Sequence, residues 1–265
     1  MIITENRKLT GIILFLLLLI TPSSIIGQTS TYNQFWNEFQ FNRALGDKWA
    51  SEINLGGSFS STTSENSMFN TNIQRTLRIW AHYHYSPRWK FSTFLAYYHN
   101  KDVPEIGQFE APEWRFALQG IYYFHKIGYT LSTRMRGELR FVGNEDGNFE
   151  DVYRYRQQVK FLKPFNSKFL RKGVVYMTAS GELFFKSKSK TTGIDFFDRN
   201  RLTLGAGYLI TDDLQIELVY VNEFLTRDKG NQVNNALSLS ISFNNLLPNL
   251  KKKFASKPPE TIQDE

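Results

Sequence analysis

From Thr133 to Phe141 the chain places Arg134, Arg136, Glu138 and Arg140 on even positions and Met135, Leu139 and Phe141 on odd ones. A period of two is the period of a β-strand, so this stretch has one ionic face and one greasy face only when extended. Eleven stretches carry the same alternation: 34–42, 48–59, 73–85, 88–99, 112–124, 128–141, 152–162, 173–185, 199–210, 214–225 and 234–244. Most are longer than the roughly five or six residues usual in soluble sheets and match the roughly nine to eleven that a tilted membrane strand needs. Two arrangements satisfy such strands. A soluble sheet turns the greasy face inward, and a barrel in lipid turns it outward.

The connections favour the barrel. Ser86-Pro87, His125-Lys126-Ile127 and Thr211-Asp212-Asp213 are tight, whereas 60–72, 100–111, 142–151, 186–198 and 226–233 are long and rich in Ser, Asn, Asp, Glu, Lys and Gly. Short periplasmic turns alternating with long external loops are the known asymmetry of outer-membrane barrels. The connection around Lys163-Pro164-Phe165 is the least regular of the short set. Parity assigns the outward face to residues such as Leu77, Ile79, Trp114, Phe116, Leu118, Leu202, Leu204, Leu237, Leu239 and Ile241. Aromatics recur on that face beside the short turns (Tyr85, Trp89, Phe124, Tyr129, Phe161) and beside the long loops (Phe59, Phe141, Tyr153, Phe185, Phe224), as two interfacial girdles require. Asn37, Gln157 and Asn222 fall on the outward parity, where a bulge, interfacial depth or a slipped register would account for them.

Composition agrees. The mean hydropathy of −0.38 is too polar for a helical membrane protein, but it suits a barrel, half of whose strand residues face a polar lumen. Residues 1–27 read as a cleavable export signal, with Arg7 and Lys8 ahead of the apolar run Gly11 to Ile20 and a break at Pro22. That run is about half the roughly 20 residues a spanning helix needs. With no cysteine, the chain has no disulfide, thiolate metal site or lipidated N-terminal Cys. The net charge of +7 alternates along strands instead of clustering, which argues against nucleic acid as a partner. The exception, Lys251-Lys252-Lys253, lies in a segment, 245–265, that reads as a flexible periplasmic tail after a barrel over 28–244.

The inward face carries the chemistry. Arg78, Arg115, Arg134, Arg136, Arg140, Arg154, Arg156, Lys160 and Arg201 share it with Glu38, Glu52, Glu113, Glu138, Glu182, Glu217 and Glu223. Such a lining makes either a narrow pore favouring small anionic solutes or a lattice of ion pairs that fills the barrel. His82 and His84 share a strand face, but a metal would need a third ligand. His99 and Asn100 stand near Ser92, but parity puts Ser92 on the face opposite His99, so the pair does not form the site of a membrane-embedded lipase. No His-Glu-x-x-His, Gly-x-x-x-x-Gly-Lys or Gly-x-Ser-x-Gly motif occurs. Gly205 and Gly207 read as small inward residues that make room for bulky neighbours. No catalytic residue, metal site or cofactor is assigned, and outer-membrane lipid is the expected partner.

Phe35-Trp36-Asn37-Glu38, Glu113-Trp114-Arg115, Tyr153-Arg154-Tyr155-Arg156 and the run from Phe197 to Tyr208 resemble the outer-membrane barrels of domain-of-unknown-function family 2490, across residues 33 to 244. The resemblance implies an outer-membrane barrel and no established reaction. The expected fold is therefore an all-β, antiparallel up-and-down transmembrane barrel. Because bacterial single-chain barrels use even strand numbers, twelve strands are expected, with a short extra strand near 28–33 or residues threading the lumen, and ten as the second choice. Functionally the reading is a passive narrow channel or a closed structural barrel, with a lipid-modifying hydrolase or a soluble periplasmic β-barrel or sandwich binder as alternatives.

Overall fold

A computed structural model describes residues 29–106, 108–144, 146–227 and 230–246; the expected export signal over 1–27 and the tail beyond 246 lie outside them. The described chain forms β1 (Thr29–Ala44), β2 (Trp49–Ser60), β3 (Thr71–His84), β4 (Trp89–Asn100), β5 (Ala111–His125), β6 (Thr130–Gly143), β7 (Phe149–Pro164), β8 (Val175–Lys186), β9 (Phe197–Leu209), β10 (Leu214–Leu225) and β11 (Asn231–Asn244). Each strand pairs antiparallel with the next, and β1 pairs with β11 in parallel from Thr29↔Asn231 to Asn42↔Asn244, closing the barrel.

The strand count corrects the even-number expectation. Residues 29–33 are strand, but they lengthen β1 at its start and form no twelfth strand. The described chain therefore enters the barrel at the end bearing the long connections and leaves at the short-turn end. The short turns are made by local chemistry. Ser86 Oγ accepts from the Trp89 amide at 3.1 Å, Thr211 Oγ1 accepts from the Leu214 amide at 3.0 Å, and Gly128 supplies the positive φ of 77° in the β5–β6 turn.

The apolar side of the sheet faces out. Leu55, Ile79, Leu95, Leu118, Leu204 and Leu218 are all exposed, Leu118 and Leu204 by nearly 60%. This is the reverse of a soluble sandwich or lipocalin, whose leucines would be covered. Rings contact one another along the short-turn rim (Trp49–Tyr83, Tyr85–Phe91, Trp89–Tyr122, Tyr122–Phe124) and at the other rim (Tyr97–Trp114, Phe185–Phe196). The outward amides do not mark a slipped register. Asn222 Nδ2 and the Tyr220 hydroxyl both donate to Asn235 Oδ1, at 3.0 and 2.7 Å. Gln157 Nε2 donates to Thr133 Oγ1 at 2.6 Å and its oxygen accepts from Tyr155 at 2.8 Å. Asn37 lies over Gly57, where a Cβ would approach its oxygen to 3.1 Å. Polar groups paired in this way leave little unmet hydrogen-bonding capacity on the apolar face.

Candidate functional site

With the leucines outside, the even residues of β6, β7 and β8 and the odd ones of β5, β9 and β10 meet in the lumen. The pairing register decides which charges touch. Arg115 lies opposite Arg140 across β5 and β6, an arrangement that repels unless a carboxylate stands beside it. Glu113, two residues along, is that carboxylate. Arg140 grips both of its oxygens at 2.6 and 3.0 Å, and Arg115 binds it through Nε and Nη2. Arg136 likewise faces Arg156 across β6 and β7, and Glu138 sits between them. It takes Arg154 at 2.5 Å, Arg156 at 2.9 Å and Arg136 at 3.4 Å.

The same logic continues round the wall. Glu182 on β8 holds Arg156 at 2.8 Å and reaches Arg134, two strands away, at 2.5 Å. Glu223 on β10 takes Arg201 at 2.6 Å and Arg199 at 3.3 Å. Asp198 receives Arg199 at 3.0 Å, Arg227 at 3.5 Å and Arg154 at 3.7 Å. These five carboxylates have side chains 1–3% exposed. On the opposite wall Arg78 pairs with Glu38, which also accepts from Asn54 at 2.8 Å. Among the described residues Glu217 has no arginine ion pair; it accepts the Tyr176 hydroxyl at 2.7 Å, and Tyr176 in turn occupies the space over Gly207. Lys160 is partly exposed.

Aromatic rings fill the space between the guanidiniums. Arg115 stacks 3.6 Å from the Tyr98 ring centre and Arg156 4.3 Å from that of Phe184. Arg136 on β6 lies over Trp80 on β3 at 5.1 Å, and Arg201 on β9 lies over Trp36 on β1 at 5.1 Å, so both cross the interior. Trp80, Phe94, Ala96, Tyr98 and Ala117 form one buried cluster. The sequence reading did not assign these rings to the lumen, although Trp80 shares the parity of Arg78. It also missed Asp198, which the register jump between Phe184↔Arg199 and Phe185↔Phe197 leaves unpaired with β8.

At the long-loop end the β4–β5 connection buries Val103 and is tied to the start of β3 and to its own first residue through Gln108 Nε2, which donates to the carbonyls of Ile73 and Lys101 at 2.7 and 2.8 Å. The connection after β8 is pinned by Glu150, whose carboxylate accepts from Ser189 Oγ, Lys190 N and Thr191 N at 2.8–3.0 Å. Beyond β10, burial and the nearby Arg199 push the Arg227 guanidinium down to about 10, still charged at neutral pH.

One constellation has the residue types of a hydrolase. His82 Nδ1 lies 2.8 Å from Ser92 Oγ and its Nε2 3.2 Å from a Glu52 oxygen. Ser92 faces inward beside His82, while His99 faces out and contacts Glu110 at 3.8 Å. His84 turns instead to the Lys48 carbonyl at 3.3 Å, so the two histidines do not converge. Among the described residues no three His, Asp or Glu side chains gather as metal ligands.

The profile of a protein family described as Protein of unknown function (DUF2490) matches residues 33–234. Among solved structures, LpxR from Salmonella typhimurium is similar over 77% of this chain and 86% of that chain, with 11% identity and a TM-score of 0.46. No curated protein matches.

Proposed function

The chain belongs to the DUF2490 family of proteins of unknown function, and we propose that it is a closed, non-catalytic barrel of the outer membrane whose lumen is filled by its own ion pairs. One observation carries the closure. Glu113, Glu138, Glu182, Asp198 and Glu223 each hold two or three arginines while remaining almost wholly out of water's reach. A conducting pore needs charges that a passing ion can meet, whereas charges neutralised within a dry lattice offer it neither field nor path. Placement in the outer membrane is supported by the exposed leucine belt, the two aromatic rims and the alternation of short and long connections, which sets the short-turn end in the periplasm. Planar-bilayer recording of the refolded protein tests closure, with no steady conductance as the expected result. A steady anion-selective current, weakened by neutralising Arg134, Arg136 and Arg156 together, would replace the closed barrel with a narrow channel for small anions.

A second reading rests on Ser92, His82 and Glu52. In it the serine would attack an acyl ester, with His82 taking its proton and Glu52 orienting the ring. Against it, Ser92 and His82 are each only 6% exposed. Buried polar groups find partners in any case, and here every one of the histidine's ring nitrogens has one. An alkyl fluorophosphonate probe should therefore leave the refolded chain unlabelled. Labelling of Ser92 that disappears in His82→Ala would establish the hydrolase.

A further inference from the structure

The connection from β7 to β8, residues 165–174, is the longest at the short-turn end, and it is fastened on both sides. Its Lys168 carbonyl accepts from Gly128 N in the β5–β6 turn at 3.1 Å, and its Lys172 amide donates to Asp212 Oδ1 in the β9–β10 turn at 2.8 Å. Asn166 braces the base, donating to the Gly173 carbonyl at 2.8 Å and accepting from Val175 N at 3.1 Å. Held this way, the connection leaves a groove against the β5–β6 turn, lined by Lys126, Tyr129, Pro164, Lys168, Phe169 and Leu170 among others.

The groove is basic and greasy at once. Its lining brings two lysines, Lys126 and Lys168, from the two walls and, among the described residues, no carboxylate. Asp212, which accepts from the Lys172 amide, belongs to the β9–β10 turn and is not part of that lining. The Lys126 ammonium spends one proton on the Pro87 carbonyl at 3.0 Å and lies 4.2 Å from the Tyr123 ring centre, leaving donors for an incoming oxygen. Phe169 in the lining, and Ile127 and Phe165 next in sequence to the lining residues Lys126 and Pro164, are each at least 60% exposed, an apolar surface that acyl chains would cover.

We infer that this groove binds the headgroup of an acidic phospholipid from the leaflet at the short-turn end, with its phosphate between Lys126 and Lys168 and its acyl chains against the exposed rings. The inference rests on the outer-membrane reading. A zwitterionic lipid fits less well, because among the described residues no carboxylate lines the groove for its cationic end, and a free phosphate would leave the apolar rim uncovered.

Native mass spectrometry of the refolded full chain tests this, with phosphatidylglycerol and phosphatidylcholine supplied in equal amounts. Phosphatidylglycerol should be retained about tenfold over phosphatidylcholine, and the preference should fall to about twofold or less in the Lys126→Gln/Lys168→Gln double variant. A control double variant at the other rim, Lys188→Gln/Lys190→Gln, should keep it. Equal retention of the two lipids, or the same preference in the groove variant, overturns the inference while leaving an inserted barrel intact. Failure of the chain to insert into any bilayer overturns both this inference and the barrel reading.

Discussion

Glu138→Gln removes one charge from a place where three guanidiniums converge, and the structure says what that should cost. Arg154, Arg156 and Arg136 lie 2.5, 2.9 and 3.4 Å from its oxygens, and the side chain is 1% exposed. The amide keeps the shape of the carboxylate, but it offers one acceptor where there were two and turns an NH2 group toward donors. Each pair of unit charges about 4 Å apart is worth about 4 kcal/mol at an effective dielectric near 20, before desolvation is subtracted. Removing one partner of a buried ion pair costs about 3–5 kcal/mol, because the surviving charge stays buried and uncompensated. The expected loss is therefore about 3–5 kcal/mol, read from urea unfolding of the folded protein in lipid vesicles. Combining Glu138→Gln with Arg136→Met should recover part of that loss, since Arg154 still has Asp198 and Arg156 still has Glu182, whereas Arg136 pairs with Glu138 and is the charge left stranded. A loss below about 1 kcal/mol, the scale of solvated ion pairs, would mean that water surrounds Glu138 and that the lumen is not filled.

Three further substitutions test the faces of β9 and the crowding beside it. Leu204→Arg, from a side chain 58% exposed on the apolar face, should cost about 2–4 kcal/mol in vesicles. Thr203→Arg, which enters the lumen where Thr203 shares a 2.6 Å hydrogen bond with Ser180, should cost less, and the reverse order in the unfolding midpoints would refute the facing. Gly205→Ala should cost about 1–3 kcal/mol by overpacking, because the new Cβ would meet the Leu218 carbonyl oxygen and lie 2.5 Å from Val219 Cα, backbone that has little freedom to withdraw. An unchanged midpoint would show that β9 and β10 can part there.

Parity says which side chains share the inward face, and pairing register decides which of them touch. Every arginine and glutamate on the inward list follows from a period of two, since one side chain fixes the face of a whole strand. Which carboxylate meets which arginine depends on the offset between neighbouring strands, and that offset comes from turn geometry spread along the chain. Three partners for Glu138 could not be counted from β6 alone. Asp198 was hidden by a bulge, which breaks parity locally. Trp36, Trp80 and Phe184 were overlooked for another reason. Aromatics were expected in interfacial rims, yet a ring that can lie under a guanidinium is also at home in a charged lumen. The Ser92–His82–Glu52 contact joins three strands, and only the register of β2, β3 and β4 sets Ser92 opposite His82 and Glu52 diagonal to it.

The parallel closing pair follows from the strand number together with the need to leave no sheet edge unpaired. Eleven strands in up-and-down order leave β1 and β11 running the same way, so the closing pair must be parallel, an arrangement slightly less stable per residue than an antiparallel one. Leaving the two edges unpaired would be far worse, since each orphaned backbone group in hydrocarbon costs several kcal/mol. The seam makes up in extent for what it lacks in geometry. Its register runs without interruption from Thr29 to Asn42, which is why residues 29–33 are drawn into β1 when they might have formed a short strand of their own. At the short-turn end the Phe41 and Phe243 rings stack 5.2 Å apart, Ser242 Oγ donates to Gln40 Oε1 at 2.7 Å, and Asn245 donates its amide to the Asn42 carbonyl at 2.7 Å while its side chain accepts from Ala44 N at 2.9 Å. Asn245 does this at a φ of 51°, a left-handed conformation that asparagine reaches more easily than most residues. The chain thus locks its last strand to its first just past the end of β11.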